Sequence, residues 1–274
     1  MKYNIINVNS SLGLNIKGCE YGPFLINKYI DSDCISGRIN IYPVDGQSCI
    51  NNINMVNKRL FNSVIDSYKG GAFPIILGGD HSLSIGSALA SLNYYHSVGI
   101  IWIDAHADFN TFETTETGNI HGLPLACICG YHNDVLRIYD GYIDPKRCVV
   151  LGARAIDKIE NQNILEAGIN MIDNSYVKQN GIKDSLNKAF ELLKDTDYIH
   201  ISFDVDVIDP TIAMGVSVAE ENGISDKDAY TIIEMIKNNP KVVSLDIVEF
   251  NPLNDINGKT KLLVTNLINT FIKK

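Results

Sequence analysis

The chain has 274 residues, 45% hydrophobic and 20% charged, an ordinary globular composition whose length suits one large α/β domain or two small ones. A formal net charge of −9 and a pI of about 5.1 argue against nucleic acid or an anionic membrane surface as the main partner. They suit a cationic ligand or a metal instead.

Short β-branched runs alternate with longer amphipathic segments. Strands are expected at Tyr3–Val8, Ile39–Val44, Pro74–Leu77, Val98–Asp104, Cys148–Leu151, Ile169–Ile172, Tyr198–Asp204 and Val242–Val248. Helices are expected at Asn54–Tyr68, Ser82–Leu92, Lys158–Ala167, Ile182–Leu193, Asp226–Lys237 and Lys259–Ile272. Ser225 reads as an N-cap, with acids in the first turn after it, and Gly258 precedes the last helix. Near-continuous Ile/Val strands alternating with helices predict an α/β fold, a mostly parallel sheet covered on both faces. Neither a linker nor a repeat is visible, so one domain over residues 1–274 is expected.

No run approaches the ~18 apolar residues of a membrane span. The start, MKYNIINVNSSLGL, lacks the pattern of a signal peptide. Six cysteines (Cys19, Cys34, Cys49, Cys127, Cys129, Cys148) form no CxxC pair. Buried, reduced thiols and a cytoplasmic location follow as expectations.

Functional groups in such sheets collect at the carboxyl ends of strands. Four ends are chemically loaded: GGDHS (Gly78–Ser82), DAHAD (Asp104–Asp108), DVDVIDP (Asp204–Pro210) and EFNP (Glu249–Pro252). Each alone has a simpler explanation. GGDHS suits a tight turn in which two glycines give conformational freedom and Asp80 caps a helix, and Asp-Pro is a turn. Together they are harder to dismiss. Asp104, His106 and Asp108 alternate, as do Asp204 and Asp206, so each segment aims several ligands toward one face. With His81 they make two imidazoles and four carboxylates.

In a fully extended strand, residues four apart are separated by about 13 Å, whereas ligand bonds to such ions are about 2 Å. A straight strand cannot bring Asp104 and Asp108 to one ion, so the chain must curl past Asp104. Two ions about 3.5–4 Å apart make a target wide enough for the whole set. Oxygen-rich ligands with two imidazoles and no thiolate favour Mn²⁺ over structural Zn²⁺, and ligand type alone leaves Zn, Co, Ni and Fe open. His121, in the polar loop TTETGNIHG (Thr114–Gly122), is a candidate proton shuttle.

The motifs GGDHS, DAHADFN, SFDVDVIDP and DIVEFNP, in that order, resemble the ureohydrolase superfamily of arginases, agmatinases and formimidoylglutamases. Weaker likeness extends through KGCEYGP (Lys17–Pro23) and the tail NPLNDINGKT. The resemblance implies a three-layer α/β/α sandwich around an eight-stranded, mostly parallel sheet, two Mn²⁺ per chain and a homotrimer or homohexamer. It assigns His81, Asp104, Asp108 and Asp204 to one ion, and His106, Asp104, Asp204 and Asp206 to the other. It also makes Glu249 the partner of a substrate guanidinium and His121 a proton-transfer group. The implied reaction is cleavage of a guanidino C–N bond by hydroxide bridging the two metals, with Asp108 passing its proton to the departing amine.

The loop DFNTFETTETGNIHG looks like that of bacterial arginases. By that likeness Asn110, Thr117 and Asn119 hold a substrate α-carboxylate, Thr117 standing where serine is usual. Asp157 and Glu160, in GARAIDKIE, contact the α-amino group. The substrate implied is a small cationic guanidino compound, L-arginine first, converted to ornithine and urea. One departure is clear: arginases usually carry Gly-Thr-Pro after SFDVDVIDP, whereas here Val218 and Ala219 replace the threonine and proline. That keeps formimidoylglutamase and agmatinase as alternatives. Two further readings are a weakly active ureohydrolase-like binding protein and a one-zinc deacetylase.

Overall fold

The computed structural model describes residues 1–31, 33–132 and 134–273. Eight strands form one sheet: β1 (Lys2–Val8), β2 (Ile35–Ile41), β3 (Ala72–Gly78), β4 (Val98–Ile103), β5 (Cys148–Leu151), β6 (Asn170–Ile172), β7 (Tyr198–Asp204) and β8 (Val242–Val248). Their order is β2-β1-β3-β8-β7-β4-β5-β6. Every neighbouring pair is parallel, so the sheet is wholly parallel where the sequence predicts mostly so.

Nine α-helices cover it: α1 (Gly22–Asn27), α2 (Cys49–Lys69), α3 (Ser84–Tyr95), α4 (Pro124–Ile128), α5 (Lys158–Ala167), α6 (Asn174–Asn180), α7 (Ile182–Leu192), α8 (Asp226–Lys237) and α9 (Lys259–Ile272), counted among the described residues. The central strands β3, β4 and β8 are buried at every residue, because helices lie on both faces. Edge strand β2 alternates partly exposed and exposed residues instead. Along β4, Val98, Ile100 and Trp102 pack with α3 and α4, while Ile101 and Ile103 join the core under α7, α8 and α9. Pro74 sits one residue before the β3–β8 ladder begins at Ile75, where its missing N–H breaks no pairing on that side.

β5, β7, β8, α5, α8 and α9 span the residues expected from sequence. β2 does not: it runs Ile35–Ile41 rather than Ile39–Val44. Gly78 and Gly79 keep negative-side backbone angles, and their role is close approach. A Cβ on Gly79 would overlap the Ser10 carbonyl, and one on Gly78 would strike Leu83 and Val248. Asp80 does cap, accepting from Ser82 N at 3.0 Å, but it caps a 3₁₀ turn (His81–Leu83) ahead of α3. The cysteines are free thiols, four of them buried, whereas Cys49 is exposed, against expectation.

Candidate metal centre and substrate cleft

The loaded strands β3, β8, β7 and β4 are consecutive neighbours in the sheet, so their carboxyl ends deliver His81, Glu249, Asp204 and Asp104 to one place. β4 ends at Ile103, and the backbone then turns. Asp108 takes φ +52°, a left-handed conformation rare outside glycine. The curl brings Asp108 beside Asp104. His81 Nδ1 lies 3.0 Å from Asp104 Oδ2, 3.0 Å from Asp108 Oδ2 and 3.1 Å from Asp204 Oδ2. Glu249 also has positive φ, +66°.

A second group adjoins the first. His106 Nδ1 lies 3.4 Å from Asp104 Oδ1 and 3.0 Å from Asp206 Oδ2. Asp104 therefore presents one oxygen to each group. Asp204 turns Oδ2 to His81, while its Oδ1 accepts from Asp206 N at 2.8 Å. The two groups differ in depth: the His81 side chain is 1% exposed and that of His106 is 24%.

The donor set fits divalent cations. His81, Asp104 and Asp204 offer ligand atoms within 4.8 Å of one another, as do Asp104, His106 and Asp206. That spread suits bonds of about 2 Å to shared ions. His81 Nδ1 and Asp108 Oδ2 are buried without a hydrogen-bond partner despite their nearness, so they point at a common centre rather than at each other. The charge balance agrees. Burial, then Asp206 and Asp104, raise the Asp204 carboxyl well above the usual range. Burial, then Asp104, push Asp206 up to about 6, with His106 opposing. Burial and Asp104 likewise raise Asp108. Asp104 differs: burial opposes its ionisation, but His106 and His81 hold its carboxyl well below the usual range. Two imidazoles thus share four buried carboxyls, and three of these still lack a compensating positive charge.

A cleft of about 480 Å³ opens beside the His106 group, and Asn110, Thr117, Asn119, Asp157, Glu160 and His121 line it, together with Asp108 and Val218. The sequence-derived binding residues thus come together, apart from Glu249. Glu249 is buried, touching the cleft through His121, whose Nδ1 is 3.0 Å from Glu249 Oε1. That oxygen also accepts from His81 N at 2.8 Å, while Oε2 is buried with no hydrogen bond. Burial opposes protonation of His121, but Glu249 and Asp108 outweigh it and raise its pKa.

Asp157 and Glu160 also form a capping box at the start of α5. Glu160 Oε1 accepts from Phe109 N at 2.8 Å and Oε2 from Asp157 N at 3.2 Å. Burial pushes its carboxyl up to about 7. Asp157 Oδ2 accepts from Asn110 Nδ2 at 3.1 Å.

Sequence reasoning missed Trp102, Ser202 and Arg154. Trp102 Nε1 donates to Asp104 Oδ2 at 2.9 Å, and Ser202 Oγ lies 2.8 Å from His81 Nε2. The Arg154 guanidinium donates to the carbonyls of Asp206 and Glu220 at 2.8 and 2.9 Å, tying the β5 loop to the β7 loop. Trp102 stands two residues before Asp104, hence on its face of the strand, a signal open to sequence reading.

A wholly parallel sheet whose adjacent strand ends converge two histidines and four aspartates defines a candidate dinuclear hydrolase. Comparison with known proteins gives the family. The Arginase family model matches residues 2–273. The arginase of Staphylococcus aureus (strain MRSA252) is 33% identical over 289 residues, covering 98% of this chain and 96% of the relative. A solved arginase structure from Bacillus subtilis aligns at TM-score 0.93 and 30% identity, covering 100% of this chain and 98% of that one. The Entamoeba histolytica arginase, solved in complex with L-ornithine, aligns at TM-score 0.92 and 29% identity over 100% of both chains. The chain belongs to the arginase family and is a metal-dependent ureohydrolase. Among the described residues no helix is long and apolar enough to cross a membrane.

Proposed function

We propose that the chain, acting as one ureohydrolase domain, hydrolyses L-arginine to L-ornithine and urea with two Mn²⁺ bound. The observation that carries this reading is the pairing of two donor groups through Asp104, beside a cleft suited to an amino-acid head group. Asp157 supplies the cleft with a carboxylate for an α-amino cation. Asn110, Thr117 and Asn119 supply neutral amides and a hydroxyl for an α-carboxylate.

In this reading His81, Asp104, Asp108 and Asp204 hold one ion, and His106, Asp104, Asp204 and Asp206 the other. Two such cations, when bound, bring the deprotonation of water near neutral pH. The protein's own residues do the rest. Glu249 Oε2, without a hydrogen-bond partner, takes the guanidinium N–H groups and orients the carbon. Asp108, with Oδ2 turned toward the His81 group, carries a proton on Oδ1 to the departing amine nitrogen. His121 exchanges protons with the cleft through Nε2, the ring nitrogen not facing Glu249.

Val218 lines the cleft where arginases usually place threonine, and it keeps formimidoylglutamate and agmatine in the test. Mn²⁺-loaded protein is incubated separately with arginine, agmatine and formimidoylglutamate, and the products are identified. Ornithine and urea from arginine alone are expected. Formamide and glutamate from formimidoylglutamate, or turnover of agmatine only, would overturn the arginine assignment.

A further inference from the structure

A row of side chains crosses three strands in register beneath α3: Trp102 on β4 pairs with Ser202 on β7, and Ser202 pairs with Asp246 on β8. Above it α3 contributes Ser84, Ser87 and Ser91, all fully buried, as are Ser202, His200 and Asp246. Eight-strand α/β interiors gain nothing from such polar groups unless they are paired. Each of these side chains has a hydrogen-bond partner, all three on Asp246 meeting Oδ2 while Oδ1 has none, and the pairing has a direction.

Asp246 Oδ2 accepts from Ser84 Oγ at 2.8 Å and also from Ser87 Oγ, and it lies 3.1 Å from His200 Nε2. A serine hydroxyl carries one hydrogen, and Ser84 uses its own on Asp246. The 3.2 Å contact between Ser84 Oγ and Ser202 Oγ must then be donated by Ser202. Ser202 has no hydrogen left for His81, so the 2.8 Å contact with His81 Nε2 is donated by the imidazole. The chain runs His81 Nε2–H to Ser202, to Ser84, to the Asp246 carboxylate.

We propose that Asp246, acting through Ser84 and Ser202, is the positioning residue that holds the proton of His81 on Nε2 and leaves Nδ1 to the metal. The inference rests on the reading of His81 as a metal ligand. Trp102 fixes the plane of the ring, stacked at 3.9 Å and 8°, and the relay fixes its rotation within that plane. Ser84 is the link, since Ser202 and Asp246 lie on strands and their connection passes through the helix hydroxyl. Hydrogen bonds that orient a metal-bound histidine typically change metal affinity by about 10–100-fold.

The test measures Mn²⁺ binding by calorimetry on the full chain, with Ser84→Ala and Ser84→Thr variants. Alanine is a favourable helix residue, and in this variant Ser87 and His200 still face the Asp246 carboxylate. Ser84→Ala is expected to weaken one of two Mn²⁺ sites about tenfold and leave the other unchanged, and Ser84→Thr, which restores the hydroxyl, is expected to recover it. A second readout uses the wild-type protein free of metal: the Nε2–H of His81 is expected as a slowly exchanging signal in ¹⁵N-edited spectra. Ser84→Ala binding both ions within twofold of wild type, a loss that threonine does not restore, or an Nε2 without a protected proton would each overturn the proposal. Wild type that binds two Mn²⁺ yet leaves arginine intact would defeat the functional reading alone. Unchanged metal affinity in an active Ser84→Ala variant would defeat the relay alone.

Discussion

The imidazole of His81 lies flat on the indole of Trp102, ring centroids 3.9 Å apart and planes within 8°. The same indole donates from Nε1 to Asp104 Oδ2. One side chain thus braces two candidate ligands, one by stacking and one by a hydrogen bond. The deep group gathers at and just past the carboxyl ends of β3, β4 and β7, whereas the His106 group faces the cleft. Four expectations follow from this arrangement and its surroundings.

Replacing Asp108 removes both a candidate ligand and the proposed proton carrier. Asp108→Ala is expected to lower kcat by about three orders of magnitude or more, as loss of a group acting in concert does. Steady-state assays of urea release, with metal content measured on the same samples, check it. Retention of a tenth of wild-type kcat would exclude the proton role.

Val218→Thr places a hydroxyl on the cleft wall. A single added hydrogen bond is worth about 0.5–1.5 kcal/mol, so kcat/KM for arginine is expected to rise roughly two- to tenfold. No gain in the kinetic comparison would mean that the wall at this position does not address the guanidinium.

Glu160 titrates near 7 in the folded chain because it is buried. Its ordinary value is about 4.3. The folded state therefore holds this proton longer than the unfolded state, and stability falls as pH rises between those values. The loss is on the order of 3 kcal/mol, complete above about pH 7. Thermal melts of Mn²⁺-loaded wild type and Glu160→Gln between pH 5 and pH 8 should show a flatter profile for the variant. Parallel profiles would mean that the carboxyl is already charged across that range.

Metal removal should matter more at high pH. Without cations, Asp206 has a folded pKa raised to about 6 and burial, with Asp206 and Asp104, holds that of Asp204 well above the ordinary carboxylate range. Their forced ionisation destabilises the metal-free fold as pH climbs. Bound ions relieve that repulsion and add stability with their own occupancy, about 2.7 kcal/mol at a hundredfold excess over Kd. The melting-temperature gap between Mn²⁺-loaded and chelated protein is expected to be wider at pH 8 than at pH 5. An equal gap would count against carboxylate crowding as its source.

Much of this was legible before any coordinates. Buried strands such as Val242–Val248 announce themselves because both faces are covered and most of their residues are β-branched or otherwise apolar. Short helices do not: α4, Pro124–Ile128, is five residues and too brief for a periodic pattern. α6, Asn174–Asn180, depends on its Asp173 cap more than on an apolar stripe. Strand β2 slipped because the apolar IYPV run outweighs the weakly alternating edge ISGRINI. At the site, DAHAD required a curl, and the left-handed Asp108 supplies it. Ser202, Ser84 and Asp246 were not legible, because their connection depends on strand register across β4, β7 and β8.

The Glu249 carboxylate that accepts the His81 amide hydrogen comes from 168 residues further along the chain. No short contiguous fragment can therefore assemble this centre. Closing such long separations is the slow, entropically costly part of forming a parallel sheet. On the two-metal reading, tight uptake of both ions has to wait until the last central strand, β8, has docked between β3 and β7. Metal capture in this chain is then a chemical read-out of finished topology, and a truncated or misthreaded chain would be distinguishable by its inability to retain the pair.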